Sequence, residues 1–183
     1  MSYHVFSVVL KTNEMFLQLK KNYNTEELLH FVVSKLEIKL TAPEYEIFAQ
    51  DDDLEKEPAM YFLAKGECTV KVNQKSRIQN YDQPVAVLGP GDPIGEISLL
   101  YGCKRTATVI SNNYGTLARL QQRDFKEFTF IYPEVMNCLR QRIYDYDDDL
   151  KLMIEHTIMN IPYLENVPEA MIHEIMFSLK TSQ

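Results

Sequence analysis

One short stretch of the chain, residues 91–107, combines a glycine turn, an acid and an arginine between two strand-like runs. Its acid, Glu96, and its arginine, Arg105, lie nine residues apart. A carboxylate accepts a hydrogen bond from a sugar hydroxyl, whereas an arginine binds a phosphate through two parallel N–H donors. Backbone N–H groups of a helix that starts after Gly95 would add donors to the same anion. These residue types therefore predict a site for a cyclic sugar phosphate.

The residues that must position this stretch follow the pattern of short strands. Turn-forming residues at 65–67, 73–75 and 89–92 separate runs rich in β-branched and aromatic side chains. The pattern predicts strands at 45–48, 60–64, 68–72, 85–88, 106–110 and 116–120. Many short strands at close spacing favour an antiparallel β barrel or jelly roll, with one helical turn at 96–101.

Helical patterns flank the predicted strands. Asn24, followed by Glu27, has the form of a capping box, and apolar residues recur at helical spacing from Leu28 to Leu40. Pro133 suits the first position of a later helix. Its apolar stripe consists of Val135, Met136, Leu139, Ile143 and Tyr146. We therefore expect an α+β chain with N-terminal helices at 1–42, the jelly roll at 43–121 and C-terminal lid helices at 122–160.

The end of the chain resembles the first predicted helix. A shift of 143 residues superposes five apolar residues of that helix on five of the segment that begins at Pro168. The five in the later segment are Met171, Ile172, Ile175, Met176 and Leu179. Amphipathic helices share part of such agreement by their nature, but the earlier copy leads directly into the strand region. We therefore expect residues 161–183 to begin a second copy of the module.

Composition limits the possible functions. The 183 residues carry a net charge of −7, which argues against broad binding to nucleic acids or anionic membranes. Three cysteines without a C-x-x-C pair and four scattered histidines give no metal-site spacing and suggest a reducing, cytoplasmic location. No apolar run approaches the roughly 18 residues that a membrane span needs.

The stretch at 91–107 resembles the phosphate-binding cassette of cyclic-nucleotide-binding domains, and the resemblance covers about residues 25–146. Glu96 is similar to the family acid that binds the ribose 2′-hydroxyl, and Arg105 to the arginine that pairs with the cyclic phosphate. Backbone N–H donors and the pair after the arginine complete the match. The residues that the resemblance assigns to the ligand are Gly95, Glu96, Ile97, Ser98, Arg105, Thr106 and Ala107. The implied ligand is cAMP or cGMP, with no further cofactor and no metal.

The resemblance also implies how the domain signals. The family closes its pocket over the base with its last helix. The candidate lid residues here are Leu139, Arg140, Ile143 and Tyr144. A threonine at position 106 is compatible with a syn guanine and favours cGMP, although several cAMP-responsive channels keep it. The chain would then be a sensor, not an enzyme, that controls an attached kinase or channel through a helix shift.

Two features depart from the family pattern. Ile94 stands where the family usually has Phe before Gly-Glu, and it keeps an apolar side chain at that position. The family's turn between the second and third strands normally carries glycines, whereas the turn at 50–58 of this chain is acidic and contains none. We interpret this turn as a solvated loop because it lacks the Asp/Asn/Gly spacing of a calcium site.

Three other functions remain to be weighed. The first is a jelly-roll scaffold or interaction module that has lost its ligand, against which the intact Glu96 and Arg105 argue. The second is a metal enzyme of the cupin type, which needs histidines on strands. The histidines of this chain, however, are His4, His30, His156 and His173, all outside the strand region. A DNA-binding regulator is disfavoured because Lys180 is the only basic residue, beyond His173, in the last predicted helix.

Overall fold

The chain forms two compact units, Met1–Gln141 and Arg142–Gln183. The computed structural model describes residues 2–53, 58–75, 80–144, 167–168, 171–172 and 174–175. The helices are α1 (Ser2–Thr12), α2 (Glu14–Leu19), α3 (Thr25–Lys35), α4 (Glu96–Tyr101), α5 (Gln122–Ile131) and α6 (Glu134–Tyr144). The strands are β1 (Glu37–Thr41), β2 (Glu46–Phe48), β3 (Ala59–Lys65), β4 (Cys68–Lys75), β5 (Asn80–Leu88), β6 (Pro93–Ile94), β7 (Thr108–Ser111) and β8 (Gly115–Gln121).

The strands of the first unit form two four-stranded antiparallel sheets. One sheet has the order β1-β8-β3-β6 and the other the order β2-β7-β4-β5, so that strands distant in sequence pair with each other. With helices packed beside the first sheet, this arrangement confirms the predicted α+β jelly roll. The short strand β6, which leads into α4, was not predicted.

The side chains of β3 and β8 point alternately to the two faces of the sheet, and the core is therefore divided into two clusters. Met60, Phe62 and Leu120 pack with the helices, and their strand neighbours Leu63 and Leu117 pack between the two sheets. Successive side chains of a strand point to opposite faces, so the central strands β3 and β8 of the first sheet pack on both sides. The barrel interior is completed by Ile47, Ala59, Tyr61, Cys68, Ile94 and Val109.

The helix predicted to run on to Leu40 ends earlier. The side chain of Asn24 caps α3 by accepting from the N–H groups of Glu26 and Glu27, at 3.0 and 3.5 Å, as predicted. However, Leu36 is already extended, and β1 pairs with the greater part of β8. Leu40 is 73% exposed. Residues 37–41 therefore form a strand, because they pair with the edge of the sheet although their apolar residues recur at helical spacing. The segment 1–42 contains this strand as well as helices.

Part of the C-terminal predictions lies outside the described residues. The helix expected after Pro133 is confirmed as α6, but Tyr146, the remaining lid segment to 160 and most of 161–183 are not described. At Pro168 the carbonyl accepts from the N–H groups of Met171 and Ile172, at 2.8 and 3.2 Å. The second copy of the module stays a prediction. Among the residues described, no helix is both long and apolar enough to cross a bilayer.

Gly115 provides a test of barrel closure. A Cβ atom there would lie 2.6 Å from the Oγ1 of Thr41 and 3.0 Å from the carbonyl oxygen of Lys65. Both of these residues belong to strands of the first sheet, which limits how far they can shift. We expect Gly115→Ala to lower the free energy of unfolding by about 1–3 kcal/mol, as overpacking does. Urea denaturation followed by circular dichroism measures this change.

Gly89→Ala is the matched control. A Cβ at Gly89 meets no atom within 4 Å, and its backbone is not left-handed. The free energy of unfolding should therefore change by no more than about 0.5 kcal/mol. Equal effects of the two substitutions would contradict the packing described for Gly115.

Candidate functional site

The acid of the cassette is buried at the start of α4. Gly95 precedes the helix with φ +78°, a left-handed conformation that glycine adopts without steric cost. Glu96 follows as the first helical residue and is only 3% exposed. Ser98 is buried as well, and its hydroxyl donates to the carbonyl of Lys104 at 3.2 Å, which closes the loop. Ile97 and Ser98 thus lie in the first helical turn, where N–H groups lack an intrahelical acceptor.

Arg105 lies inside the barrel rather than on its surface. The residue is 5% exposed. Its Nη1 donates to the carbonyl of Gly95 at 2.9 Å, and its Nη2 donates to the carbonyl of Ala59 at 2.7 Å. A guanidinium has five N–H donors. Two bonds to carbonyls therefore hold the group in place while leaving it the capacity to bind an anion.

A segment at the end of β2 holds Arg105 from the other side. The ring of Phe48 lies 4.2 Å from the guanidinium carbon of Arg105. Asp51 donates its backbone N–H to the carbonyl of Arg105 at 2.8 Å, and the backbone N–H of Arg105 donates to the carbonyl of Asp52 at 3.1 Å. None of these three residues was predicted from the sequence to belong to the site. In the sequence, Phe48 is only a single aromatic residue at the end of a predicted strand. Its relation to the site becomes visible only in the fold, which brings its ring to Arg105.

Burial and nearby charges act in opposite directions on Arg105. Burial lowers the pKa of its guanidinium below the usual value, while Tyr61, Glu96 and Asp52 each favour the charged form. Burial also raises the pKa of the neighbouring Cys103 thiol, which Arg105 partly counteracts. A positive charge that is removed from water is stabilised by an anion that binds beside it. The electrostatics of the site therefore suit a bound anion.

The remaining residues of the cassette connect Arg105 to β7. Thr106 and Ala107 are half-buried and lead directly into Thr108. The hydroxyl of Thr108 accepts from the backbone N–H of Gln50 at 2.9 Å. The structure thus brings Gly95, Glu96 and Arg105 together, and it places the other residues of the cassette in the same connected loop.

The predicted lid residues have different environments. Leu139 is buried in the helical cluster, to which Leu99 of α4 also belongs. Arg140 is exposed, and Ile143 is buried. Tyr144 is the last residue of α6, and its side chain is not described. Their role as a lid over the base stays a prediction.

Metal ligands are not assembled in the described part of the chain. No group of three or more His, Cys, Asp or Glu residues there is arranged to hold an ion. In the acidic turn, the carboxylate of Asp52 instead accepts from the backbone N–H of Ala49 at 2.9 Å.

Comparison with known proteins gives the same family for this region. Residues 42–132 match the family of the cyclic nucleotide-binding domain. The chain is 32% identical over 132 residues to a cyclic nucleotide-gated cation channel protein of Drosophila melanogaster, with 68% of this chain and 18% of the relative covered. It is 29% identical over 139 residues to the cAMP-dependent protein kinase regulatory subunit of Colletotrichum trifolii, with 66% and 34% covered.

A solved structure agrees with these matches at the level of the fold. The regulatory domain of Toxoplasma gondii PKA with cAMP superposes with a TM-score of 0.66 at 18% identity, covering 79% of this chain and 51% of that one. The chain spans about a fifth of the length of the channel protein and about a third of the length of the kinase regulatory subunit. The matched family consists of regulatory rather than catalytic domains. The chain therefore carries, over residues 42–132, a domain of the cyclic nucleotide-binding family.

Proposed function

We propose that the barrel binds a cyclic nucleotide, with the cyclic phosphate at Arg105 and the ribose at Glu96. The observation that carries this proposal is the buried guanidinium of Arg105, held at the start of α4 beside a buried carboxylate. A cyclic phosphate has one negative charge, which matches the single charge of the guanidinium. The N–H groups of Ile97 and Ser98 in the first turn of α4 would add donors to the same anion.

The two charged residues take different parts of the ligand for electrostatic reasons. A carboxylate beside a phosphate is repelled by it, so Glu96 must face the sugar. There its oxygens accept a hydrogen bond from the ribose 2′-hydroxyl. A deoxy analogue would lack this hydrogen bond to a buried carboxylate, and the site should therefore reject it.

Binding would act on the helices that follow the barrel. In this proposal the candidate lid residues cover the base, and the populations of open and closed helix arrangements shift with ligand. The ligand in this proposal is cAMP or cGMP, and Thr106 favours cGMP. The attached effector is a kinase or a channel, as in the matched relatives, and the domain works in the cytoplasm.

The first test removes the arginine. Titration calorimetry with cAMP and with cGMP should show binding by the wild type and a loss of affinity of about 100-fold or more in Arg105→Ala, because charge-assisted bonds to the phosphate disappear. Arg105→Lys keeps the charge but loses the paired geometry, so its affinity should lie between the two.

Lys104→Ala is the matched control for that experiment. It removes the same charge one position away, from an exposed side chain, and should leave the affinity within about threefold of the wild type. Absence of binding of both nucleotides by the wild type would contradict the proposal and favour a ligand-free scaffold. Circular dichroism verifies that each variant is folded.

The second test concerns the acid. Glu96→Gln should weaken binding of the ribonucleotide by about tenfold, since a hydrogen bond to a charged group contributes about 1.5–3 kcal/mol. The same substitution should change the affinity for the 2′-deoxy analogue much less, because that ligand lacks the hydroxyl. Equal losses for both ligands would show that Glu96 does not bind the 2′-hydroxyl.

The third test uses two glycines with the same backbone conformation. Gly95 and Gly102 have φ values of +78° and +63°. A Cβ at Gly95 would lie 2.5 Å from the Nη1 of Arg105, whereas a Cβ at Gly102 meets no atom within 4 Å. Both alanine variants should lose about 1 kcal/mol of stability from backbone strain, and Gly95→Ala should lose more because its Cβ also crowds the side chains of Arg105 and Phe48. Only Gly95→Ala should also lower nucleotide affinity, by about tenfold or more, because it displaces the guanidinium. Equal affinities of the two variants in calorimetry would contradict this geometry.

A further inference from the structure

We propose that Phe48 is a positioning residue for the anion site, which orients the guanidinium of Arg105 toward the ligand. This inference rests on the proposed function, since it concerns the same phosphate. Phe48 is half-buried at the end of β2, where the pairing with β7 shifts register. It lies far from Arg105 in sequence, and its ring reaches the guanidinium only through the closure of the barrel.

The contacts around Arg105 differ in direction. The carbonyls of Gly95 and Ala59 accept from two nitrogens of the guanidinium, at 2.9 and 2.7 Å. Hydrogen bonds of this kind lie near the plane of the group. The ring of Phe48, whose centre is 4.2 Å from the guanidinium carbon, provides an attraction of the cation–π type in addition. The carbonyls and the ring together leave the planar group little freedom to rotate.

The ring of Phe48 is itself held on two sides. Its Cε1 and Cζ atoms lie 3.1 and 3.2 Å from the position that a Cβ of Gly95 would occupy, so the absence of a side chain at Gly95 makes room for the ring. The ring of Tyr61 is stacked on it with centres 6.4 Å apart and planes at 30°. Phe48 therefore has a defined position from which to act on the arginine.

The main chain of Arg105 is held by groups other than the ring of Phe48. Its N–H and its carbonyl are bonded to Asp52 and Asp51, through backbone atoms alone. A change in the ring of Phe48 therefore leaves the backbone of Arg105 in place and acts on its side chain. This separation makes the role of the ring testable apart from the integrity of the loop.

The test replaces Phe48 by phenylalanines with one, two and three ring fluorines. Fluorination weakens the negative face of the ring and barely changes its size. Calorimetry with cAMP and cGMP should show affinity falling stepwise, to a total loss of about 3- to 30-fold, which is the range of a cation–π contact. Phe48→Leu, which removes the aromatic face, should lose at least as much.

The same fluorinated residues at Phe6 form the matched control. Phe6 is buried in the helical cluster on α1, outside the helices that follow the barrel, and should leave the affinity unchanged. Unchanged affinity across the fluorinated series at Phe48, with the wild type binding, would overturn the positioning role and leave the proposed function standing. If the wild type binds neither nucleotide, the proposed function fails and this inference fails with it. Urea denaturation of each variant separates a loss of folding from a loss of binding.

Discussion

A positive charge inside a barrel must be satisfied by its surroundings, and the guanidinium of Arg105 imposes this requirement on the whole domain. Its hydrogen-bond acceptors come from the start of β3 and from the turn before α4, and an aromatic ring comes from β2. No single element could supply these groups. The jelly roll is the arrangement that brings the three segments to one point, so the site depends on closure of both sheets.

The turn at the start of the cassette is held by both layers of the domain. The carbonyl of Gly91 accepts from the side-chain amide of Asn13, which belongs to the helical layer. The N–H of the same Gly91 donates to the carbonyl of Leu63 in β3, at 2.7 Å. The cassette therefore begins from a rigid point, and the position of α4 is tied to the N-terminal helices as well as to the sheet.

Much of this arrangement could be predicted from the sequence, because its signals are local. Turn residues and short apolar runs indicated the strands, Asn24 indicated the cap of α3, and the spacing of Glu96 and Arg105 indicated a candidate site, which stays a prediction. The end of α3 could not be found in this way, since β1 forms only because β8 offers it an edge. Phe48 and the backbone of Asp51 and Asp52 were missed for a related reason: their contact with Arg105 joins segments far apart in the chain.

The division of the core into two clusters has a consequence for substitutions. Leu63 and Leu117 face the interior of the barrel, whereas Phe62 and Leu120, on the opposite face of the same strands, pack with the helices. Substitutions at sites that lie more than about 7–10 Å apart and share no partners change stability almost additively. Side chains of the barrel lining and side chains of the helical cluster that meet this condition can therefore be exchanged independently of each other.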